Sequence, residues 1–258
     1  MLRSITVSNT DHIDQLEAQG FNAIHVEAAD PNLSTLLEAA TKYGVPVHAR
    51  IRLLELPGIG DTSPANTLGQ HVEGAECPSQ PLAQDRCLDL CQRVAAQFPW
   101  ASLQLMGLGF RAFHPKPEDN AEASFYRSIC FCAACQYGYG AAGAILEHVA
   151  REAIETPMAK HPTVDTMLLW RRSVQYGLLR QIHDLVSTPL CLHTAAELRY
   201  TGDRSSLTFE EAKGLVSACS VDPDSPEELA RLASLPRPMP VYCVSNPTPE
   251  SFSGFILV

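Results

Sequence analysis

Short apolar segments alternate with amphipathic helical segments along most of this 258-residue chain. Strands that alternate with helices build a parallel sheet with crossover helices. Seven or eight such units predict an α/β fold of the (β/α)8 TIM-barrel type, with an open doubly wound sheet as the alternative. The predicted strands cover residues 5–7, 22–27, 45–52, 101–106, 190–194, 217–222, 241–244 and 255–258. The predicted helices cover residues 11–19, 33–43, 82–98, 136–155, 164–186, 209–215 and 225–235.

The predicted eighth strand ends the sequence, so the helix that would follow it is missing. We therefore expect a barrel that is pared down at the C-terminus or that forms part of an oligomer. We expect one domain over residues 1–258, with long loops at 56–81 and 107–135. Loops of that length inside a compact domain are usually functional or disordered. The chain has no glycine-rich dinucleotide fingerprint after its first strand and no P-loop, which argues against a nucleotide-binding fold.

The net charge and composition of the chain argue against some classes of binding partner. The net charge is −10 and no basic cluster is present, which argues against nucleic acid and anionic membrane surfaces. No apolar run approaches the ~18 residues that a membrane span needs. The start of the chain has no secretory leader pattern, and the nine cysteines are an odd number. We therefore expect a reducing, cytoplasmic location; the oligomeric state is left open.

Three cysteines occur within six positions, as Cys130-x-Cys132-x-x-Cys135. One tight turn with this spacing aims three sulfurs at one point, which is typical of a tetrahedral zinc site. The best candidate for a fourth ligand is Cys77, which precedes a predicted helix. Ordinary buried thiols, or a redox pair at Cys132 and Cys135, are the alternatives. Cys87 and Cys91 lie one turn apart on the predicted buried face of that helix.

The segments Cys77–Pro81 and Ile129–Cys135 together resemble glycoside-hydrolase-like TIM barrels. They are similar to the zinc-bearing family 42 β-galactosidases and to uncharacterised bacterial hydrolase-like barrels. The resemblance covers roughly residues 70–136. It implies that Cys77, Cys130, Cys132 and Cys135 form a structural zinc site. A closed four-sulfur site has no open position for a catalytic water.

The sequence departs from those hydrolases at their catalytic positions. The resemblance implies a glutamate at the end of the fourth strand and another at the end of the seventh. Here the fourth strand runs through Met106 into Gly107, and the seventh runs through Val244 into Ser245. Because glycoside hydrolysis normally needs two opposed carboxyl groups, the usual pair cannot be transferred to this chain.

Other ionisable residues follow the predicted strands, where the active face of such a barrel lies. Arg50 and Arg52 alternate with apolar neighbours, and we expect one to point into the barrel and the other outward. Each candidate has an ordinary alternative: a solvated loop, a buried histidine or a helix cap. The predicted substrate-binding residues are Glu27, Arg52, Glu55, His114 and Asn246, and the predicted catalytic residues are Glu197, Asp222 and His193.

Three hypotheses about function remain open. The first is a carbohydrate-active, hydrolase-like barrel with a structural zinc ion and an unusual carboxylate pair such as Glu197 and Asp222. The second is a non-catalytic barrel that binds a sugar or a partner. The third is a divalent-metal isomerase or aldolase barrel, with Glu27, His193, Glu197 and Asp222 as ligands. The expected partner is a carbohydrate or another small molecule.

Overall fold

The predicted alternation of strands and helices recurs in the computed structural model. The model describes residues 3–10, 13–16, 20–55, 62–110, 125–127, 129–155, 161–194, 207, 209–221, 241–244 and 254–257. The strands are β1 Arg3–Thr6, β2 Ala23–Glu27, β3 Val47–Arg52, β4 Ser102–Met106, β5 Leu190–Thr194, β6 Ala218–Val221, β7 Val241–Val244 and β8 Gly254–Leu257. The α-helices are α1 Leu33–Tyr43, α2 Pro81–Gln97, α3 Ala133–Tyr139, α4 Ala142–Glu155, α5 Thr163–Leu185 and α6 Phe209–Ala212.

Each strand pairs with the next strand in chain order, and β8 also pairs with β1, so the strand pairs form one ring. The pairs from β1 to β7 are parallel, which confirms an α/β fold with a parallel sheet. The last strand differs from the prediction of like βα units, because β8 runs antiparallel to both β7 and β1. Only residues 245–253 separate β7 from β8. A parallel crossover needs a dozen or more residues, so a connection this short can only return the chain antiparallel.

The two faces of the strands have different partners. On one face of β2, β3 and β4, aliphatic residues pack against helices α1, α2 and α5 in a single buried cluster. Ile24, Val47 and Leu103 belong to this set, and Cys87 and Cys91 join it from the buried side of α2, as the helical spacing predicts. The alternate positions face the inside of the ring and are largely polar, as the contacts described below show.

Two local predictions need correction. A single helix was expected from Gln136 to Glu155, but the chain forms α3 and α4 instead. Gly140 separates them with a φ of 57°, in the left-handed region that glycine enters at little cost. A helix was also expected over residues 11–19, and the described part of that segment forms a short 3-10 turn at Ile13–Gln15. The helix predicted at 225–235 lies outside the described residues.

The connection from β4 to β5 contains α3, α4 and α5, and it encloses a second buried cluster. This cluster combines aromatic rings, aliphatic residues from α4 and α5, and the sulfurs of Cys77, Cys130, Cys132 and Cys135. The 23-residue helix α5 belongs to both clusters. Its N-terminal part, with Val164 and Met167, packs in the second cluster, and its C-terminal part, with Leu178 and Ile182, packs in the first.

Candidate metal centre and barrel mouth

Four cysteine sulfurs converge from the segments that follow β3 and β4. Cys77 comes from the segment between β3 and α2, Cys130 and Cys132 precede α3, and Cys135 lies in the first turn of α3. All four residues are buried, and their sulfur atoms lie within 4.8 Å of one another. Residues more than fifty positions apart in sequence therefore form one group, which can hold a metal ion.

The sulfur separations fit a tetrahedral ion. The Sγ atom of Cys77 lies 3.5 Å from that of Cys135 and 3.8 Å from that of Cys130. A tetrahedral zinc ion that binds each sulfur at ~2.3 Å separates its ligand atoms by about 3.8 Å. The donor set is four soft thiols with no oxygen ligand, which is the set that zinc and iron prefer in structural sites.

Backbone hydrogen bonds tie both cysteine segments to the same stretch of chain, residues 62–65. The Cys77 amide donates to the Thr62 carbonyl at 2.8 Å, and the Phe131 amide donates to the Ala65 carbonyl at 2.5 Å. The Cys77 carbonyl accepts from the Gln80 amide at 3.0 Å, which makes the tight turn before α2. Pro81 is the first residue of α2, where its fixed φ favours the start of a helix.

Ser79 adds a hydroxyl to the sulfur cluster. Its Oγ atom lies 3.0 Å from the Cys77 sulfur and 3.1 Å from the Cys135 sulfur. Hydrogen bonding with Cys130 and the other two thiols, together with burial, raises the pKa of Cys77, whereas hydrogen bonds from Cys130, Cys135 and Cys77 lower the pKa of Cys132. Without a metal the four thiols share their protons, and a divalent ion displaces those protons.

An ion pair with a fully buried carboxylate lies next to Cys77 on the side of α2. The Glu76 side chain is 0% exposed, and its Oε1 atom accepts from Arg86 Nη2 at 2.8 Å. The same oxygen accepts from the Thr62 hydroxyl at 3.0 Å. This pair neutralises its own charge, so it positions Cys77 and α2 without adding net charge beside the sulfurs.

The inside of the ring carries a row of polar side chains in register. Thr6 is paired with His25, His25 with His48, and His48 with Ser102. The imidazole rings of His25 and His48 stack with their centroids 4.7 Å apart, and His48 Nδ1 lies 2.7 Å from the Ser102 hydroxyl. Burial lowers the pKa of His48 to about 4 and, together with the charges of His48 and Arg50, holds the pKa of His25 well below its usual value. Both rings are therefore neutral at pH 7.

Above this row, charged residues at the ends of β2 and β3 form a network at the mouth of the ring. Glu27 contacts Arg50 Nη1 at 3.3 Å through Oε1 and Arg52 Nε at 3.3 Å through Oε2. Arg52 Nη1 also contacts Glu55 at 3.0 Å, and Arg50 Nη1 donates to the Thr6 hydroxyl at 3.3 Å. The expectation that only one arginine points inward is wrong. Residues two apart on a strand share a face, so both arginines reach Glu27.

The structure describes part of the predicted site. Glu27, Arg52 and Glu55 come together in the mouth network. His193 is the fourth residue of β5 and is partly buried. Both Glu27 oxygens contact guanidinium groups, which is unlike the free carboxylate of a metal-ligand set. Glu197, Asp222, His114 and Asn246 lie outside the described residues.

The sequence interpretation missed several polar residues that the structure places at these sites. Ser79 lies inside the segment Cys77–Pro81. Its position two residues after Cys77 was the sequence signal that its hydroxyl lies near the sulfurs. Arg171 occupies the apolar stripe of α5, whose buried positions are Val164, Met167, Leu168, Arg171, Gln175, Leu178, Leu179 and Ile182. A charged residue on such a stripe is a signal of a buried partner. The row from Thr6 to Ser102 had no sequence signal, because strand register alone brings these residues together.

The chain resembles solved structures in fold. No protein-family model matches the chain, and no curated protein matches it significantly. The catalytic domain of β-amylase from Paenibacillus polymyxa superposes with a TM-score of 0.58 at 11% identity, over 85% of this chain and 76% of that one. The PgaB (BpsB) glycoside hydrolase domain from Bordetella bronchiseptica gives 0.56 at 12%, over 91% and 76%. The glycoside hydrolase domain of PelA from Pseudomonas aeruginosa gives 0.51 at 14%, over 96% and 84%.

These similarities show a fold shared with glycoside hydrolase catalytic domains. Among the described helices, none combines the length and the hydropathy of a membrane span.

Proposed function

We propose that this chain is a glycoside-hydrolase-like (β/α)8 barrel that binds a carbohydrate at the carboxyl ends of its strands and is pinned by a structural zinc ion. The observation that carries the proposal is the charged network of Glu27, Arg50, Arg52 and Glu55 at the mouth of a ring whose fold resembles glycoside hydrolase domains. In barrels of this class, ligands bind at this end of the strands.

The mouth network has the chemistry that sugar hydroxyls require. Carboxylates accept hydrogen bonds from hydroxyl groups, and guanidinium groups donate to hydroxyl and ring oxygens. Because Arg52 holds both Glu27 and Glu55, the three side chains are fixed in place before a ligand arrives. Pre-organisation of this kind lowers the entropy cost of binding. We include His114 and Asn246, which follow β4 and β7 in sequence, in the proposed ligand site.

The proposed zinc ion has a structural role. Four thiolates saturate a tetrahedral ion, so it offers no open position for a water or a substrate. Cys77, Cys130, Cys132 and Cys135 would hold it, and it would tie the segment before α2 to the segment before α3. Zinc binding supplies folding free energy to segments that have little core of their own. None of the seven cysteines Cys77, Cys87, Cys91, Cys130, Cys132, Cys135 and Cys191 forms a disulfide, and the location proposed for the chain is a reducing cytoplasm.

Hydrolysis is the second candidate, and the pairing of β5 with β6 favours it. Thr194 is paired with Val221, so Asp222 follows the end of β6 directly and Glu197 follows the neighbouring strand by three residues. His193 lies one residue before the paired Thr194. Two carboxyl groups on neighbouring strand ends are the minimum that glycoside hydrolysis requires. We propose this pair only because Met106 and Val244 occupy the usual catalytic strand ends.

Metal analysis of the protein, purified without a metal-binding tag, tests the structural half of the proposal. We expect about one zinc per chain, as in a closed four-cysteine site. Folded, fully reduced protein that contains no metal and takes up none from added zinc would refute the zinc site.

Binding to a panel of neutral and acidic oligosaccharides, measured by calorimetry, tests the ligand site. We expect Arg52→Ala to weaken binding by about tenfold or more, because the substitution removes a guanidinium donor together with its contacts to Glu27 and Glu55. The matched control is Arg151→Ala, which removes another exposed arginine that pairs with a glutamate, Glu147, at 3.3 Å. Equal affinity of Arg52→Ala and wild type for every ligand that binds would refute the site.

The same panel distinguishes binding from hydrolysis. If reducing ends appear, the hydrolase proposal predicts that Glu197→Gln and Asp222→Asn each abolish their release and leave binding in place. Binding without any release of reducing ends supports the non-catalytic barrel.

A further inference from the structure

The N-terminal half of α5 buries a cation beside the cysteine cluster. The Arg171 residue is 3% exposed. Its guanidinium carbon lies 4.6 Å from the centroid of the Phe110 ring, so the group is stacked on an aromatic face rather than turned towards water. Long cationic side chains usually carry their charge to the surface, and this one does not.

The charge of Arg171 has no carboxylate to balance it within the described part of the chain. None of the ion pairs found there includes Arg171, and its Nε and Nη2 atoms have no hydrogen-bond partner. An uncompensated buried charge costs several kcal/mol, so a native structure normally places an opposite charge beside it.

The groups near the Arg171 charge belong to the metal cluster and its support. The Phe110 ring under the guanidinium belongs to the same buried cluster as Tyr139, Cys130 and Cys135. Tyr139 in turn donates its hydroxyl to the Cys130 carbonyl at 2.8 Å. A guanidinium group is not deprotonated in proteins, so Arg171 keeps its charge in this interior.

The charge of a metal-loaded cluster matches this arrangement. Four thiolates with a divalent ion carry a net charge of about −2, and one arginine reduces the total to about −1. Arg86, whose side chain is 25% exposed, is already neutralised by Glu76 at 2.8 Å. Arg171 has no such carboxylate partner among the described residues, so its charge can balance that of the thiolates.

We propose that Arg171 is the buried counter-cation of the four-cysteine metal site, and that Tyr139 holds it in position against Cys130. This inference rests on the proposed structural zinc. Arg171 is a positioning residue, because it acts on the ion through the charge and hydrogen bonding of the thiolates. Partners in the outer shell of a metal site commonly tune both its affinity and the orientation of its ligands.

The test measures zinc release from the loaded protein to an excess of a coloured chelator. Arg171→Met keeps a long, unbranched side chain at this buried position and removes the charge, and we expect it to weaken zinc binding roughly 10- to 100-fold. Arg171→Lys keeps the charge, and we expect its zinc release to stay closer to wild type than to Arg171→Met. The control is Arg180→Gln, which removes an exposed arginine of the same helix that contacts Asp184 at 3.8 Å.

Thermal unfolding with and without zinc separates a counter-cation from a packing residue. We expect Arg171→Met to lower the melting temperature of the loaded protein markedly and that of the metal-free protein little or not at all. Without the negative charge of the zinc–thiolate group, the buried arginine charge lowers the free energy of unfolding instead of raising it. Equal losses in both states would assign Arg171 a packing role and overturn the inference. If Arg171→Met does not fold, Arg171→Gln carries the same comparison.

The two proposals fail in different ways. Wild-type protein that binds no zinc refutes the metal site itself. Wild-type protein that binds zinc, together with an Arg171→Met variant that releases it at the wild-type rate, refutes only the role of Arg171.

Discussion

Helix α5 packs its two ends in two different interiors. Its C-terminal half contributes Leu178, Leu179 and Ile182 to the aliphatic core between strands and helices. Its N-terminal half contributes Val164, Met167 and Leu168 to a cluster that also contains four thiols, several aromatic rings and, at Arg171, a buried cation. The first interior needs only the removal of apolar surface from water, which is non-directional and tolerant of small changes in shape.

The second interior depends on charge as well as burial. Without a metal, the four thiols make no interaction as strong as metal coordination. Arg171 has no carboxylate partner among the described residues. We infer that this region is stable only when an ion organises the thiolates, whereas the strand core is stable without one. The predictions below test that difference, from the largest expected effect to the smallest.

Cys132→Ser should abolish metal binding, because three remaining sulfurs do not saturate a structural ion. We expect faster amide exchange over residues 129–155, measured by mass spectrometry, with protection retained in β2, β3 and β4. The control is Cys91→Ala, which truncates a buried cysteine of the aliphatic core outside the sulfur cluster. Retention of a full zinc complement in Cys132→Ser would contradict the four-cysteine site.

Acid should destabilise the fold through His25 and His48, the two buried histidines on the inside of the ring. Burial lowers the pKa of His48 to about 4, below its unfolded value, so the unfolded chain binds more protons between these values. Stability is fully present above pH ~6.5 and falls as the pH drops towards 4, by about 3 kcal/mol for this residue.

The measurement is the free energy of unfolding against pH in wild type and in His48→Gln. We expect the slope between pH 6.5 and 4 to be smaller in the variant, because glutamine does not titrate; His25, whose pKa is also lowered, accounts for part of what remains. An unchanged slope would remove His48 as a cause of acid sensitivity.

Gly138→Ala should destabilise the second interior by overpacking. A Cβ atom on Gly138 would overlap the indole ring of Trp170, which would then have to move out of the aromatic cluster. Overpacking of this kind costs about 1–3 kcal/mol, and chemical denaturation measures it.

The matched control for this substitution is Gly177→Ala in α5, where a Cβ would have nothing within 4 Å. We expect that change to be neutral or to stabilise by up to ~1 kcal/mol, since alanine favours the helix. A loss at Gly138 no larger than the change at Gly177 would contradict the close packing of Trp170.

Arg52→Ala should affect stability least. The Arg52 side chain is 51% exposed, and exposed ion pairs contribute at most about 1 kcal/mol. We expect a change in unfolding free energy below ~1 kcal/mol, alongside the loss of carbohydrate affinity proposed above. A large loss of stability would mean that the network at the mouth holds the fold rather than a ligand.

Much of the architecture was predictable because it depends on local pattern. Apolar periodicity gave the strands β2, β3 and β4 and the long helix α5, and the spacing of Cys130, Cys132 and Cys135 indicated a metal site. The division between α3 and α4 was missed, although Gly140 marks it, because the flanking residues on both sides favour helix. The partner of a polar residue was hard to predict wherever it lay far away in sequence.

The sequence by itself determined the alternation of strands and helices and the chemistry of the four sulfurs, since both depend on neighbours within a few residues. Only the tertiary structure decided which polar groups meet. Strand register stacks His25 on His48, and helix packing places Arg171 over the Phe110 ring. The physical reason is that desolvation and charge compensation depend on distance in space, which sequence separation does not encode.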